Sequence, residues 1–384
     1  MFERTQLLQE KRSKELRDLF DNGRFPHSVL FYGPDCSSRL TAALDSARAI
    51  LKTPTLFSKL NSVYAYLSRD VFIALNAKGK MFLNDLTKGS YERFTDELFV
   101  LMLTRTFSSL RNEEGGKNTL SASDEENLIS LYSDLVSVPF DTSKTEELSK
   151  KVVKVLSIAE NIKEESGFSI KDVRLIKKQS VLHSASGEAK IFIIEGLENA
   201  LPAAKNAFLK ILEEPPENTY FIIISSERKA ALGDTILSRL VQFSFHAIDE
   251  EGRKAFFAAY QRPSVEDGDI NTFFLEEGYE ESREFKKTAL NFASVLLSRR
   301  SYLDARDIVL SVFGHVRTKN RKSDILFMLF LNTVAKECIK AFKNKEFMAE
   351  PYLKAISDAY NKYRVYNISS RNAMLYLIDE LLEF

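Results

Sequence analysis

Apolar positions change their period several times along this chain, and the changes draw its elements. Gln9 to Phe20 mixes charged and apolar residues at helical spacing and stops at Asn22–Gly23, which predicts an amphipathic helix. Ser28–Tyr32 (SVLFY) predicts a short strand, Gly33–Pro34 opens a loop, and Arg39 to about Leu51 returns to helical spacing. Ser169 and Asp172 have the spacing of a helix start, and the helix they open (SIKDVRLIKKQSVLH) leads through Gly187 into the strand Lys190–Ile194. A further helix begins at Pro202, with Ala204, Ala207, Phe208, Ile211 and Leu212 on one face. Pro215 and Pro216 end it, since neither offers an N–H and the first pushes Glu214 towards an extended backbone. Tyr220–Ile224 is an aromatic and β-branched run, the mark of a strand buried on both faces. Ser225–Ser226 ends that strand, and a loop leads to Ser238–Arg239.

Two long stretches read differently. From about 53 to 166 the pattern is mostly helical, with Leu98–Leu103 its most apolar part and Gly115–Gly116 an exposed turn. After Phe245 the β content fades: about 248–281 reads as small helices, and about 282–384 is helical throughout. Strands alternating with helices, followed by helices alone, predict an α/β domain with a parallel sheet and then all-α pieces. No internal repeat is evident.

The bulk numbers narrow the class. With 384 residues, 44% apolar, the chain can bury a sizeable core and is expected to divide into two or three domains. Lys+Arg and Asp+Glu both number 54, which argues against a globally basic DNA-coating protein while leaving room for a local basic face. Cys36 and Cys338 cannot build a disulfide framework or a four-thiolate zinc site. His27, His183, His246 and His315 show no metal spacing. Glu3, Arg4 and Glu10 interrupt any signal-peptide core, and the longest apolar run, Ile325–Leu331, falls well short of the ~20 residues that span a bilayer. The expectation is a soluble cytoplasmic protein without membrane contact.

The strand–glycine loop–helix order at Ser28–Leu51 is the layout of a phosphate-binding loop, but the chemistry is damaged. A working loop needs G-x-x-x-x-G-K-[ST]: glycines let backbone N–H groups wrap the phosphates, the lysine reaches them, and the hydroxyl holds Mg²⁺. This chain reads Gly33-Pro34-Asp35-Cys36-Ser37-Ser38-Arg39-Leu40-Thr41. Ser38 replaces the second glycine, Arg39 the lysine, and Leu40 the metal-holding hydroxyl; Thr41 would supply one only in a register slipped by one. At the end of the Lys190–Ile194 strand an active enzyme would place Asp and then Glu, and here the pair is Glu195–Gly196. Glu198 lies two positions too far along to replace the missing carboxylate. Both lesions predict a chain that does not hydrolyse ATP, with weak anion binding at Arg39 as the alternative. On the helix that starts near Ser169, Lys171, Arg174, Lys177 and Lys178 fall roughly along one side, either a DNA-backbone face or a solvated helix face.

Ala204–Pro216, Tyr220–Ser226 and Ser238–Arg239–Leu240 follow one another in an order and spacing that closely resemble the AAA+ clamp-loader family of bacterial DNA polymerase III, in its delta-prime branch. There the counterparts are an AxNALLKxLEEPP helix, a sensor strand and a Ser-Arg-Cys motif; Leu240 stands where the family usually has Cys. The resemblance covers about residues 10–52 and 168–246 well. It implies a degenerate AAA+ (P-loop NTPase-like) domain over 1–246, a helical lid over 247–281 and a helical collar over 282–384. The insertion at about 53–166 would stand in place of the family's zinc module, so no zinc is expected.

The resemblance further implies that Arg239, with Ser238 shaping the turn, reaches the ATP site of a neighbouring subunit as an arginine finger. Its plain alternative is a surface arginine paired with a nearby carboxylate. Gly33, Arg39, Thr41 and Glu195 would be vestiges of a nucleotide site, and Ser225 or Ser226 the remnant of a γ-phosphate sensor. The implied partners are gamma/tau-like and delta-like subunits, a sliding clamp, and primed DNA through the complex, with ATP bound by the neighbours. No intrinsic ATPase or polymerase activity is expected of the isolated chain within its polymerase holoenzyme. An active gamma/tau-type ATPase and a scaffold without a trans role are the rival readings.

Overall fold

Five parallel strands form one sheet in the order β2-β3-β4-β1-β5 in the computed structural model. Described residues are 9–34, 37–53, 62–67, 168–181, 187–226, 229–259, 282–298, 301–314, 321–343, 345–366 and 368–382, with single positions between 56 and 154. The strands are β1 (Ser28–Tyr32), β2 (Val63–Tyr66), β3 (Lys190–Glu195), β4 (Thr219–Ser225) and β5 (Val241–Ser244). Around them lie α1 (Glu10–Asp21), α2 (Arg39–Ile50), α3 (Ile170–Val181), α4 (Pro202–Glu213), the single turn α5 (Asp234–Leu237) and α6 (Glu250–Ala259). These elements fall in one compact unit, Met1–Ile270; Asn271–Phe384 forms a second.

Burial explains why these segments pair. β1, β3 and β4 are buried nearly throughout, as continuous apolar runs must be when helices cover both faces of a parallel sheet. Phe208 of α4 is fully buried and meets Phe221 of β4 edge-on at 5.7 Å and Phe168 at 6.0 Å. Pro202 sits in the first turn of α4, where its missing N–H costs nothing, and the helix stops before Pro215 as the prolines require. α3 opens with the expected cap: Asp172 accepts from the Ser169 N–H at 2.7 Å and its hydroxyl at 2.8 Å.

Val63–Tyr66, placed by the sequence pattern inside a helical insertion, is instead the edge strand β2, in register with Ile191–Ile194 of β3. Four residues are too few to show a period, which is why the strand was not legible. Lys59 pairs with Glu188, and the Ser62 hydroxyl donates to the same carboxylate at 3.1 Å, tying the approach to β2 to the approach to β3. Within 68–167 only scattered helical positions such as Glu146, Glu147 and Lys150 are described, so the rest of the expected insertion lies outside the described residues, as do 260–281 of the expected lid.

α1 lies against β5. Arg12 donates to the Ser244 carbonyl through Nε at 2.9 Å and through a terminal nitrogen at 2.5 Å, while its guanidinium sits 5.7 Å from the Phe243 ring centroid. Gln9 donates to the His246 carbonyl at 2.7 Å.

The second unit is helical: α7 (Ser282–Ser298), α8 (Tyr302–Phe313), α9 (Arg321–Ala341), α10 (Glu346–Val365) and α11 (Ser370–Leu382). Phe292, Phe313, Phe327 and Phe330 fill its core, with Phe313 edge-on to Phe327 at 5.7 Å. Tyr302 donates to Asp379 at 2.8 Å, joining α8 to α11. Burial pushes the Cys338 thiol up to about 11, so this cysteine serves as an apolar packing residue.

Truncating Phe208 to Ala is expected to cost about 3–5 kcal/mol, read from the shift of the urea midpoint. Glu188 tests the β2 anchor. Its hydrogen bond from Lys59 holds the carboxyl below its ordinary value near 4.5. A depressed carboxylate stabilises the fold above its unfolded pKa, and that contribution disappears as pH falls through the folded one. Glu188→Gln should therefore melt lower than the parent at pH 7, with the gap closing below about pH 4 in a Tm-against-pH series.

Candidate functional site

All five strands run the same way, so their carboxyl ends and the loops that follow share one edge of the sheet, where ligands of open α/β sheets bind. Three of those ends interlock. The Gly33 N–H donates to the Ser225 carbonyl and the Gly196 N–H to the Ile224 carbonyl, both at 3.4 Å. Gly33 cannot be replaced: a Cβ there would overlap the backbone carbonyl of Phe245, just beyond β5. Ser38 precedes α2 at φ 64°, a left-handed conformation that a second glycine of a phosphate loop would adopt without strain. The loop thus keeps its bend after losing the residue that favours it.

Its charge has been turned inward. Arg39 is 9% exposed and donates to the backbone carbonyl of Ser225. A guanidinium spent on its own chain at the position of the phosphate-binding lysine does not fit a nucleotide's phosphates. Leu40 offers no metal ligand, and Thr41 lies half-buried in the first turn of α2. The hydroxyls of Ser37 and Ser225 are buried without a hydrogen-bond partner among the described residues. Ser225 thus packs against the loop through its carbonyl, and Ser226, the other candidate sensor, donates its N–H to Glu198 at 3.2 Å.

Glu195 ends β3 opposite Ile224, half-exposed. Next to it Gly196, at φ 78°, turns the chain into the one-turn helix Leu197–Asn199. That turn places Glu198 beside the end of β4. Lys205 holds the turn, donating to the carbonyls of Glu198 and Ala231 at 2.7 Å each. The signal for this turn is Gly196 followed by Leu197, a positive φ and an apolar anchor that is fully buried. Among the described residues no group of three His, Cys, Asp or Glu side chains could hold a metal ion.

Arg239 and Ser238 form a separate place. Ser238 caps the end of α5, its hydroxyl donating to the Thr235 carbonyl at 3.1 Å, and stays exposed. Arg239 donates to the same carbonyl at 2.6 Å and pairs with Glu213, the last residue of α4, at 2.5 Å. The side chains of Arg239 and Glu213 remain 33% and 48% exposed. Leu240, where a cysteine was the expected type, is buried in the core under the sheet. On α3, Lys171, Arg174, Lys177 and Lys178 are all exposed while Val173, Leu175 and Ile176 are buried, so the four cations do occupy one outer face.

A glycine loop between β1 and α2 with parallel strands around it is the layout of P-loop folds, and the second unit is helical. A family model described as DNA polymerase III, delta subunit, matches residues 139–249. The chain is 32% identical over 148 residues to DNA polymerase III subunit delta' of Haemophilus influenzae, covering 35% of this chain and 43% of that protein. With subunit delta' of Buchnera aphidicola it shares 24% identity over 240 residues, 56% of this chain and 71% of that protein. An 82-residue match at 34% identity relates it to Escherichia coli subunit tau, covering 21% of this chain and 13% of that protein. A solved gamma subunit-related protein of Thermotoga maritima overlays with a TM-score of 0.42 at 15% identity, over 96% of this chain and 98% of that one. Over these parts the chain is similar to DNA polymerase III subunits delta' and tau, and it spans less than half the length of the Haemophilus influenzae relative.

Arg39→Ala would remove the donor on the Ser225 carbonyl and empty a buried place. The expected loss is about 1–3 kcal/mol, measured by chemical denaturation of the intact chain.

Proposed function

We propose that this chain is a non-hydrolysing subunit of a clamp loader, a stator that supplies Arg239 to the ATP site of a neighbouring ATPase subunit. The observation that supports the first half is Arg39: the side chain at the lysine position is buried and bonded to its own backbone. The second half rests on placement. Arg239 follows the one-turn helix α5 and precedes β5, at the amino edge of the sheet and away from its own loop after β1, and it is partly exposed, as a residue reaching another subunit must be. An arginine at a transferring γ-phosphoryl is worth about 10³–10⁵ in rate in well-studied NTPases.

In this reading the partners are ATPase subunits of the tau/gamma kind and a delta-like subunit, which together open a sliding clamp on primed DNA. ATP belongs to the neighbours, and the exposed cations Lys171, Arg174, Lys177 and Lys178 would meet the DNA backbone. A scaffold role without a trans finger is the second reading, favoured by the Arg239–Glu213 pair, which already satisfies the arginine within its own chain.

The test is DNA-stimulated ATPase of the reconstituted complex with parent chain or Arg239→Ala, beside the isolated chain. Silence from the isolated chain and a loss of at least 100-fold (roughly, from the finger range above) in the mutant complex are expected. Turnover by the isolated chain would overturn the reading of the phosphate loop, and an indifferent mutant would leave the scaffold.

A further inference from the structure

Glu213 is an odd residue for its place. It ends α4, where the helix carries its negative pole and unpaired carbonyls, and a carboxylate there is electrostatically unfavourable. Glu214 follows it, exposed, so two acids stand at the helix end beyond Lys210, the one cation of the last turn. Violations of a local rule of this kind collect at functional positions. The compensation for this one is Arg239: its guanidinium lies between the ends of two helices, one terminal nitrogen on the Thr235 carbonyl of α5 at 2.6 Å, the other on Glu213 of α4 at 2.5 Å.

We propose that Glu213 is a positioning residue for Arg239, holding the guanidinium in the orientation in which it meets a phosphoryl group of the adjacent subunit. This inference rests on the trans-finger reading above. A guanidinium has five N–H donors in a planar fork. The two contacts and the weaker one to Ser238 Oγ at 3.4 Å leave Nε–H and one hydrogen of the Glu213-bound nitrogen unused among the described residues. The arginine is therefore fixed while keeping donors for an anion. An unrestrained arginine would surrender considerable rotamer freedom on reaching the phosphoryl; fixing it beforehand removes that cost from the catalytic step. The pair spans 26 residues, so α4 and α5 are also locked in mutual position by the same contact.

The experiment measures kcat and KM for ATP in the reconstituted, DNA-stimulated complex with Glu213→Gln, Glu213→Asp, Arg239→Ala and the double variant Glu213→Gln/Arg239→Ala. Expected is a kcat about three- to tenfold lower for Glu213→Gln with KM unchanged, the size of losing one part-exposed ion pair that orients a catalytic group. Glu213→Asp should recover part of the rate, and the double variant should be no slower than Arg239→Ala alone. A full rate for Glu213→Gln, beside a collapsed Arg239→Ala, overturns the positioning role and leaves the finger standing. A higher rate for Glu213→Gln overturns it too, since the carboxylate would then restrain the finger. Losses that add in the double variant, or a lowered Tm of the single one, mean a structural role and overturn it as well. An indifferent Arg239→Ala removes the finger reading itself, and this inference with it.

Discussion

Everything at the functional edge depends on three apolar strands, β1, β3 and β4, lying parallel and side by side with no water on either face. Their burial fixes the register, since a slip of one residue would turn each strand's side chains over. Parallel direction then forces each chain segment to leave the sheet at the same edge. Gly33, Gly196 and Ser226 are brought together by that constraint alone, from positions far apart in the sequence. Close packing of the exits leaves little choice of residue: Gly33 has the Phe245 carbonyl against it, and Gly196 needs its positive φ to turn.

Two arginines of this unit have opposite fates. Arg39 is enclosed, and its charge is answered by a backbone carbonyl of the neighbouring strand. Arg239 is answered by a carboxylate but stays partly in solvent. A buried cation is expensive to move because its alternative partners are absent; an exposed one exchanges partners at little cost. The fold has consequently fixed one side chain as structure and left the other available for exchange.

The interior of the sheet was legible in the sequence because it is apolar: Ser28–Tyr32, Lys190–Ile194 and Tyr220–Ile224 all reappear as strands with at most a residue added at an end. The two edge strands were not. β2 is a four-residue run inside a longer ambiguous stretch, and β5 exposes Val241 and Gln242 while burying only Phe243 fully. Partial burial removes the pattern that identifies a strand. Caps and stops were visible for the same local reason, as at Ser169–Asp172 and Pro215. What no pattern could show was partnership over distance: Arg39 with Ser225 is 186 positions apart, and Glu213 with Arg239 has no periodic signature. The contact of Glu198 with Ser226 follows from the turn at Gly196, which a spacing along the strand does not show.

The hold of α1 on β5 has a consequence for how the molecule meets copies of itself. The Phe245 N–H donates to Tyr32 of β1, so it faces the sheet, and the alternation of a strand turns Ser244 and His246 outward. Those outward carbonyls are the ones that Arg12 and Gln9 occupy. A sheet margin of this kind ordinarily invites an extended segment from another chain to add itself as a sixth strand. Here two of the acceptors that such a segment would need, the carbonyls of Ser244 and His246, are already taken by Arg12 and Gln9 of the same chain, so the polypeptide itself guards that end of the margin.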